Sequence, residues 1–149
     1  MKTKRTALLA VLLALVMLLA SCGGSKGVAK GEQFTLGDYT YALEKVERSG
    51  DKCTVTLLLV GDQVPVILTS DGAGGMVTKV GILMRMGEGD DAINATEISI
   101  NAVDDVEGYG GRMGFTFTLP ADAELPETAT AINGFDEKET VVLDLTSAL

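Results

Sequence analysis

The sequence contains no histidine and no tryptophan, and it has only two cysteines among its 149 residues. The lack of histidine excludes a Ser-His-Asp triad, a Cys-His pair and an HExxH zinc site. Basic residues are also few, with 12 Lys and Arg against 21 Asp and Glu. Because recognition of phosphate backbones needs clustered Lys and Arg, this balance argues against a nucleic acid partner. The length suits one domain rather than a two-domain receptor that clamps a substrate.

The start of the chain has the pattern of a secretory signal. Lys2, Lys4 and Arg5 precede an apolar run from residue 7 to residue 20. This run is shorter than the roughly 20 residues that a helix needs to cross a bilayer. It ends at Leu19-Ala20-Ser21-Cys22.

This ending resembles the lipobox of bacterial lipoproteins. The resemblance implies cleavage before Cys22, a diacylglyceryl group on its thiol and acylation of the new amino terminus. Two or three acyl chains anchor a protein stably, whereas a single chain does not. We therefore expect residues 1–21 to be a lipoprotein signal peptide and the protein to lie on the extracytoplasmic face of the cell membrane. The competing interpretation is an ordinary secretory signal followed by an accidental cysteine.

Removal of the signal changes the charge of the remaining chain. Loss of Lys2, Lys4 and Arg5 lowers the net charge from −9 to −12 on residues 22–149. This charge disfavours contact with anionic lipids or polymers, so the acyl group should hold the protein at the membrane. The Gly-rich segment 22–31 predicts a flexible tether of on the order of 15–20 Å. The folded domain is then expected over residues 32–149.

From Glu32 onward, polar and apolar residues alternate between turn signals, which predicts β-strands. The predicted strands are residues 38–47, 52–60, 64–69, 76–86, 96–103, 112–119 and 140–145. Cys53, Val55, Leu57 and Leu59 should face inward, and a bulge in the first strand would bury Val46. About seven to nine strands at roughly 10-residue spacing predict an all-β, antiparallel β-sandwich. A small closed barrel is the alternative that the same alternation permits.

Residues 31–146 also carry a series of packing motifs. They are the opening Gly31-Glu32-Gln33-Phe34, the strands 39–46 and 53–60, the loop 68–72, and the ending Phe115-Thr116-Phe117-Thr118-Leu119-Pro120 with the acidic turn 121–124 and the strand 141–145. They resemble the immunoglobulin-like domains of unknown function in Gram-positive surface lipoproteins, a family sometimes filed as telomeric repeat-binding factor 2. The Gly- and Asp-rich residues 72–110 depart from that pattern. The resemblance implies an extracytoplasmic immunoglobulin-like sandwich and brings no catalytic residues with it.

Two acidic loops provide the candidate metal ligands. One loop holds Glu88, Asp90 and Asp91, and the other holds Asp104, Asp105 and Glu107. If the chain folds back at Asn94, the two loops converge, and Asp90, Asp91, Asp104 and Asp105 offer oxygen ligands suited to Ca²⁺. If the intervening residues form a strand, the loops lie at opposite ends. Acidic loops on such an acidic domain also need no metal, because water solvates them.

Cys53 would be the one cysteine left after lipidation of Cys22, so no internal disulfide can form. Its inward position in the clearest strand predicts a buried, inert thiol.

The prediction for function is a non-enzymatic module that presents loops to an envelope protein or polymer. The expected contact loops are residues 70–76, 87–95 and 104–112, with Tyr109, Glu88 and Glu107 as contact residues. Tyr109, which lies between Gly108 and Gly110, is either exposed at a loop tip or packed against its own turn. The alternative function is a module that binds Ca²⁺ or a small ligand through the acidic loops 88–91 and 104–107. No cofactor is expected apart from this Ca²⁺. The least favoured function is a glycosidase, because its carboxylate pair needs a cleft on either side of a sugar.

Overall fold

The computed structural model describes residues 26–149, so the predicted signal peptide and Cys22 lie outside the described residues. The described part is all-β, and every strand pair within its sheets is antiparallel. The strands are β1 (Gln33–Leu36), β2 (Tyr39–Ser49), β3 (Lys52–Val60), β4 (Val66–Ser70), β5 (Met76–Val80), β6 (Ile82–Met86), β7 (Ile93–Asn94), β8 (Glu97–Ala102), β9 (Tyr109–Thr118), β10 (Thr128–Asn133) and β11 (Thr140–Asp144). Short 3-10 helices cover Gly89–Asp91 and Leu145–Ala148, and no helix within residues 26–149 is long and apolar enough to span a bilayer.

The strands form two main sheets around one core. One sheet has the order β1-β2-β3-β9-β8, the other has the order β11-β10-β6-β7, and β4 and β5 form a separate hairpin. No strand ladder joins the two main sheets in the described part of the chain. The fold is therefore sandwich-like and is not the closed barrel of the alternative prediction.

The core consists of the inward faces that the alternation predicts. Cys53, Val55 and Leu57 of β3 are fully buried, as are Phe115 and Phe117 of β9. The register between β2 and β3 shifts between Leu43 and Lys45, and Val46 is buried after this shift. The predicted bulge in β2 is thus confirmed.

Eleven strands are present over residues 26–149, more than the predicted number. The predicted strand 76–86 divides at Gly81, where the chain leaves the hairpin and enters the four-stranded sheet. Sequence reasoning also missed β10, which lies between β11 and β6. Its inward residues Ala129 and Ala131 are fully buried but small, so they give a weak apolar signal.

Residues 26–31 contact the domain, whereas the sequence predicted a free tether there. The Val28 amide donates to the Val142 carbonyl at 2.9 Å, and the Val28 carbonyl accepts from the Asp144 amide at 2.9 Å. A side chain on Gly27 would overlap the Val142 carbonyl, which explains why small residues suit this close approach. The domain therefore begins at least as early as Val28 rather than at Glu32.

The sandwich has two ends that matter for the site. At the Lys26 end, Lys26 pairs with Glu127, and the Gly87 amide donates to the Thr128 carbonyl at 2.9 Å. At the opposite end, which we call the hairpin end, Gly61 bridges to Tyr109, and the Gly134 amide donates to the Gly81 carbonyl at 2.9 Å. A nine-residue strand such as β3 separates these ends by about 30 Å.

Candidate functional site

The two acidic loops lie at opposite ends of the sandwich. Residues 97–102 form a continuous strand, β8, in which Glu97 is opposite Thr116 and Ala102 is opposite Gly111. The loop with Asp90 and Asp91 therefore lies at the Lys26 end, and the loop with Asp104 and Asp105 lies at the hairpin end. Within residues 26–149, no group of three or more His, Cys, Asp or Glu side chains is arranged to hold a metal ion. The fold-back that would assemble a Ca²⁺ site from both loops is not formed.

The three predicted contact residues are divided between the two ends of the sandwich. Glu88 is exposed at the Lys26 end, and Glu107 is exposed at the hairpin end. Tyr109 is the first residue of β9 and is half-buried, and its hydroxyl accepts a hydrogen bond from Gln33 Nε2 at 3.3 Å. Tyr109 thus packs at the start of a strand and is not exposed at a loop tip.

Two titratable groups are enclosed by the core. Burial raises the pKa of the Cys53 thiol, and the residue is fully buried, as predicted for an inert structural cysteine. Burial also raises the pKa of the Tyr41 hydroxyl, which has no hydrogen-bond partner among the described residues. Phe34 stacks on the Tyr41 ring at 5.5 Å between centroids, so this tyrosine serves mainly as a core aromatic.

An ion pair covers part of the outer face of the five-stranded sheet. Arg112 donates two hydrogen bonds of 2.7 Å to the Glu44 carboxylate, and this contact raises the pKa of Arg112. Leu58 lies opposite Arg112 in the β3–β9 ladder and is only 8% exposed, although it faces outward. A bidentate pair of this kind positions both side chains, so it shields Leu58 from water.

The outer face of the four-stranded sheet forms a shallow groove of about 540 Å³. Its floor combines exposed Leu83 and Val142 with Thr130, Arg85 and Glu137. The groove is open, and Arg85 donates a hydrogen bond to Asn94 beside the apolar side chains.

The most unusual surface is the hairpin formed by β4 and β5, with its preceding residues. We call residues 64–80 the apolar hairpin. Within residues 26–149 its strands pair only with each other, and its large apolar side chains are exposed. The exposed fractions are 47% for Val64, 44% for Ile67, 69% for Leu68, 66% for Met76 and 44% for Val77. Leu68 and Met76 lie on one face of the hairpin, and Ile67 and Val77 lie on the other, so both faces expose apolar side chains. Concentrated apolar exposure of this kind is typical of interaction sites.

Both the base and the turn of the apolar hairpin are held by specific contacts. The Gly81 amide donates to the Pro65 carbonyl at 2.6 Å, and Lys79 Nζ lies 5.6 Å from the centre of the Phe135 ring. In the turn, the Asp71 carboxylate accepts hydrogen bonds from the amides of Ala73 and Gly75, and these bonds lower its pKa. The backbone that carries the exposed apolar side chains is therefore held in place at both the base and the turn of the hairpin.

The sequence pointed to part of this site. It predicted strands over 64–69 and 76–86 and named the loop 70–76, which became the turn of the hairpin and the start of β5. It did not predict the exposure of the flanking strands. The available signal was the run Val66-Ile67-Leu68, which is apolar on both faces of one short strand.

Comparison of the chain with protein-family models, with curated proteins and with solved structures found no match.

Proposed function

We propose that this protein is an extracytoplasmic lipoprotein, anchored to the cell membrane through Cys22, that acts as a non-enzymatic binding module. Its sandwich-like domain is of the immunoglobulin-like kind, and the apolar hairpin is the surface that docks onto an envelope protein. The observation that carries the proposal is the exposure of Leu68 and Met76 on opposite strands of that hairpin.

The energetics of the hairpin support a docking role. An isolated two-stranded hairpin is marginally stable in water, and the exposed apolar side chains of this hairpin lie outside the core cluster. Burial of apolar surface contributes roughly 25 cal/mol for each Å² removed from water. A partner that covers both faces of the hairpin would therefore bind it and stabilise it together. The exposed side chains named above are aliphatic and hold no acid–base group, which suits recognition rather than catalysis.

A photocrosslinking experiment tests the docking surface. A photoreactive amino acid replaces Thr78, which is exposed and lies opposite Leu68 in the hairpin. In cells, the full lipidated chain should then give one discrete adduct with an envelope protein. The double variant Leu68→Ser/Met76→Ser should reduce that adduct by roughly tenfold or more, since a loss of about 1.4 kcal/mol of apolar contact already gives tenfold.

The matched control is Leu83→Ser/Val142→Ser, which removes two exposed apolar side chains from the groove instead. This control should leave the adduct unchanged, and thermal melting should show a cooperative transition for both double variants, which verifies that they are folded. An adduct that survives Leu68→Ser/Met76→Ser would contradict the role of the apolar hairpin.

Metabolic labelling with a fatty acid tests the membrane anchor separately. The variant Cys22→Ala should lose the label, because the thiol that receives the lipid is lost. The control Cys53→Ala, which changes the other cysteine of the chain, should keep the label. Labelling of Cys22→Ala at the level of the parent chain would contradict lipidation at this residue.

A further inference from the structure

We infer that the partner of the apolar hairpin is a protein surface with an apolar centre and a rim of Lys and Arg, engaged at the end of the domain that faces away from the membrane. This inference rests on the proposed function and adds the chemistry of the partner and the direction from which it binds.

The first step is the position of the anchor. Cys22 precedes Lys26 by four residues, which span at most about 14 Å when fully extended. Lys26 pairs with Glu127, and Val28 is hydrogen-bonded to β11, so the chain enters the domain at the Lys26 end. A lipid on Cys22 therefore holds this end close to the bilayer.

The second step is the position of the apolar hairpin. Its base lies at Gly81 and Pro65, at the hairpin end, about one strand length of 30 Å from the Lys26 end. The domain could bring the hairpin to the bilayer only by lying flat on it. That orientation would press the acidic loops onto anionic lipid head groups, which repel them. We therefore reject the membrane as the occupant of the hairpin.

The third step is the charge around the hairpin. Exposed carboxylates crowd the loops at this end, whereas the basic residues in the same loops and strands are Lys79 and Lys138. The exposed acidic residues are Asp38, Asp62, Asp104, Asp105, Glu107, Asp136 and Glu137. Interfaces bury an apolar centre inside a polar rim, and complementary charges at the rim raise the rate of association. An acidic rim therefore selects a partner with a basic rim, and it repels a second copy of this chain.

Charge reversal at one end, matched by the same reversal at the other end, tests the inference. Asp104→Lys/Asp105→Lys changes the loop at the hairpin end, and Asp90→Lys/Asp91→Lys makes the same charge change at the Lys26 end. All four side chains are exposed and lack hydrogen bonds from other described side chains, so both variants should fold. In the Thr78 crosslinking experiment, the first variant should lower the adduct at least about fivefold, and the second should leave it within about twofold.

Each outcome decides between the two proposals. An adduct that is lost in Leu68→Ser/Met76→Ser but kept in Asp104→Lys/Asp105→Lys would overturn the basic partner and leave the docking hairpin in place. An adduct of twice the chain mass would identify a second copy, and a phospholipid adduct would identify the bilayer; either result overturns the inference. No adduct at Thr78 in the parent chain would overturn both proposals.

Discussion

Replacement of Phe115 by alanine should lower the free energy of unfolding by about 3–5 kcal/mol, as is usual when a buried phenylalanine is truncated. Phe115 is fully buried and lies at the centre of β9, opposite Val55 on one side and Ile98 on the other. Its ring belongs to the core between the two sheets, so the neighbouring side chains cannot close the space without moving a sheet. Urea denaturation followed by circular dichroism measures the change.

Phe135→Ala is the matched control for this prediction. Phe135 is 40% exposed at the hairpin end and stands outside the core cluster. Its removal should cost about 1 kcal/mol or less, within the range for partly exposed side chains. Equal losses for Phe115→Ala and Phe135→Ala would show that the core does not lie between the sheets as described.

Gly134→Ala should also lower the free energy of unfolding strongly, because the added methyl group has no room. A methyl group at Gly134 would overlap the carbonyl oxygen of Val80, which is the last residue of the apolar hairpin. Backbone atoms cannot rotate away as a flexible side chain can, so the hairpin base must shift. We expect a loss of about 3 kcal/mol, at the upper end of the usual cost of overpacking, and a parallel loss of the Thr78 adduct.

Gly72→Ala serves as the control, because it measures the free-energy cost of a left-handed backbone conformation without a steric overlap. Gly72 has a φ of +78° and nothing within 4 Å of an added Cβ, so only the left-handed conformation is penalised. That penalty is about 1–2 kcal/mol. Thermal melting of both variants provides the comparison, and a loss in Gly134→Ala no larger than in Gly72→Ala would mean that the contact with Val80 is not tight.

The strands that could be predicted are those whose own residues show a clear polar–apolar alternation between turn residues. β3 occupies Lys52–Val60, as expected, because four alternating apolar residues and a clear turn at each end define it locally. The four-stranded sheet depends on β10, whose alanines give little apolar contrast, and on pairings between distant segments such as Ala131 with Met84. Local alternation does not contain that information.

The candidate site was harder to predict for the same reason. Asp91 and Asp104 are close in sequence, and only the ladder of β8 with β9 shows that their loops are far apart. The local sequence pattern of the apolar hairpin does not differ from that of two strands inside a larger sheet. Its exposure follows from Gly81, which separates β5 from β6 of a different sheet, so that no third strand from the described part of the chain pairs with the hairpin.

The attachment of residues 26–31 determines how the domain would carry tension. Val28 bonds to β11 in one sheet, and the Gly31 amide donates to the Leu43 carbonyl of β2 in the other sheet at 2.9 Å. A pull between a lipid on Cys22 and a partner on the apolar hairpin would run along the strands from one end to the other. The load would then be shared by both sheets at once rather than by β11 alone.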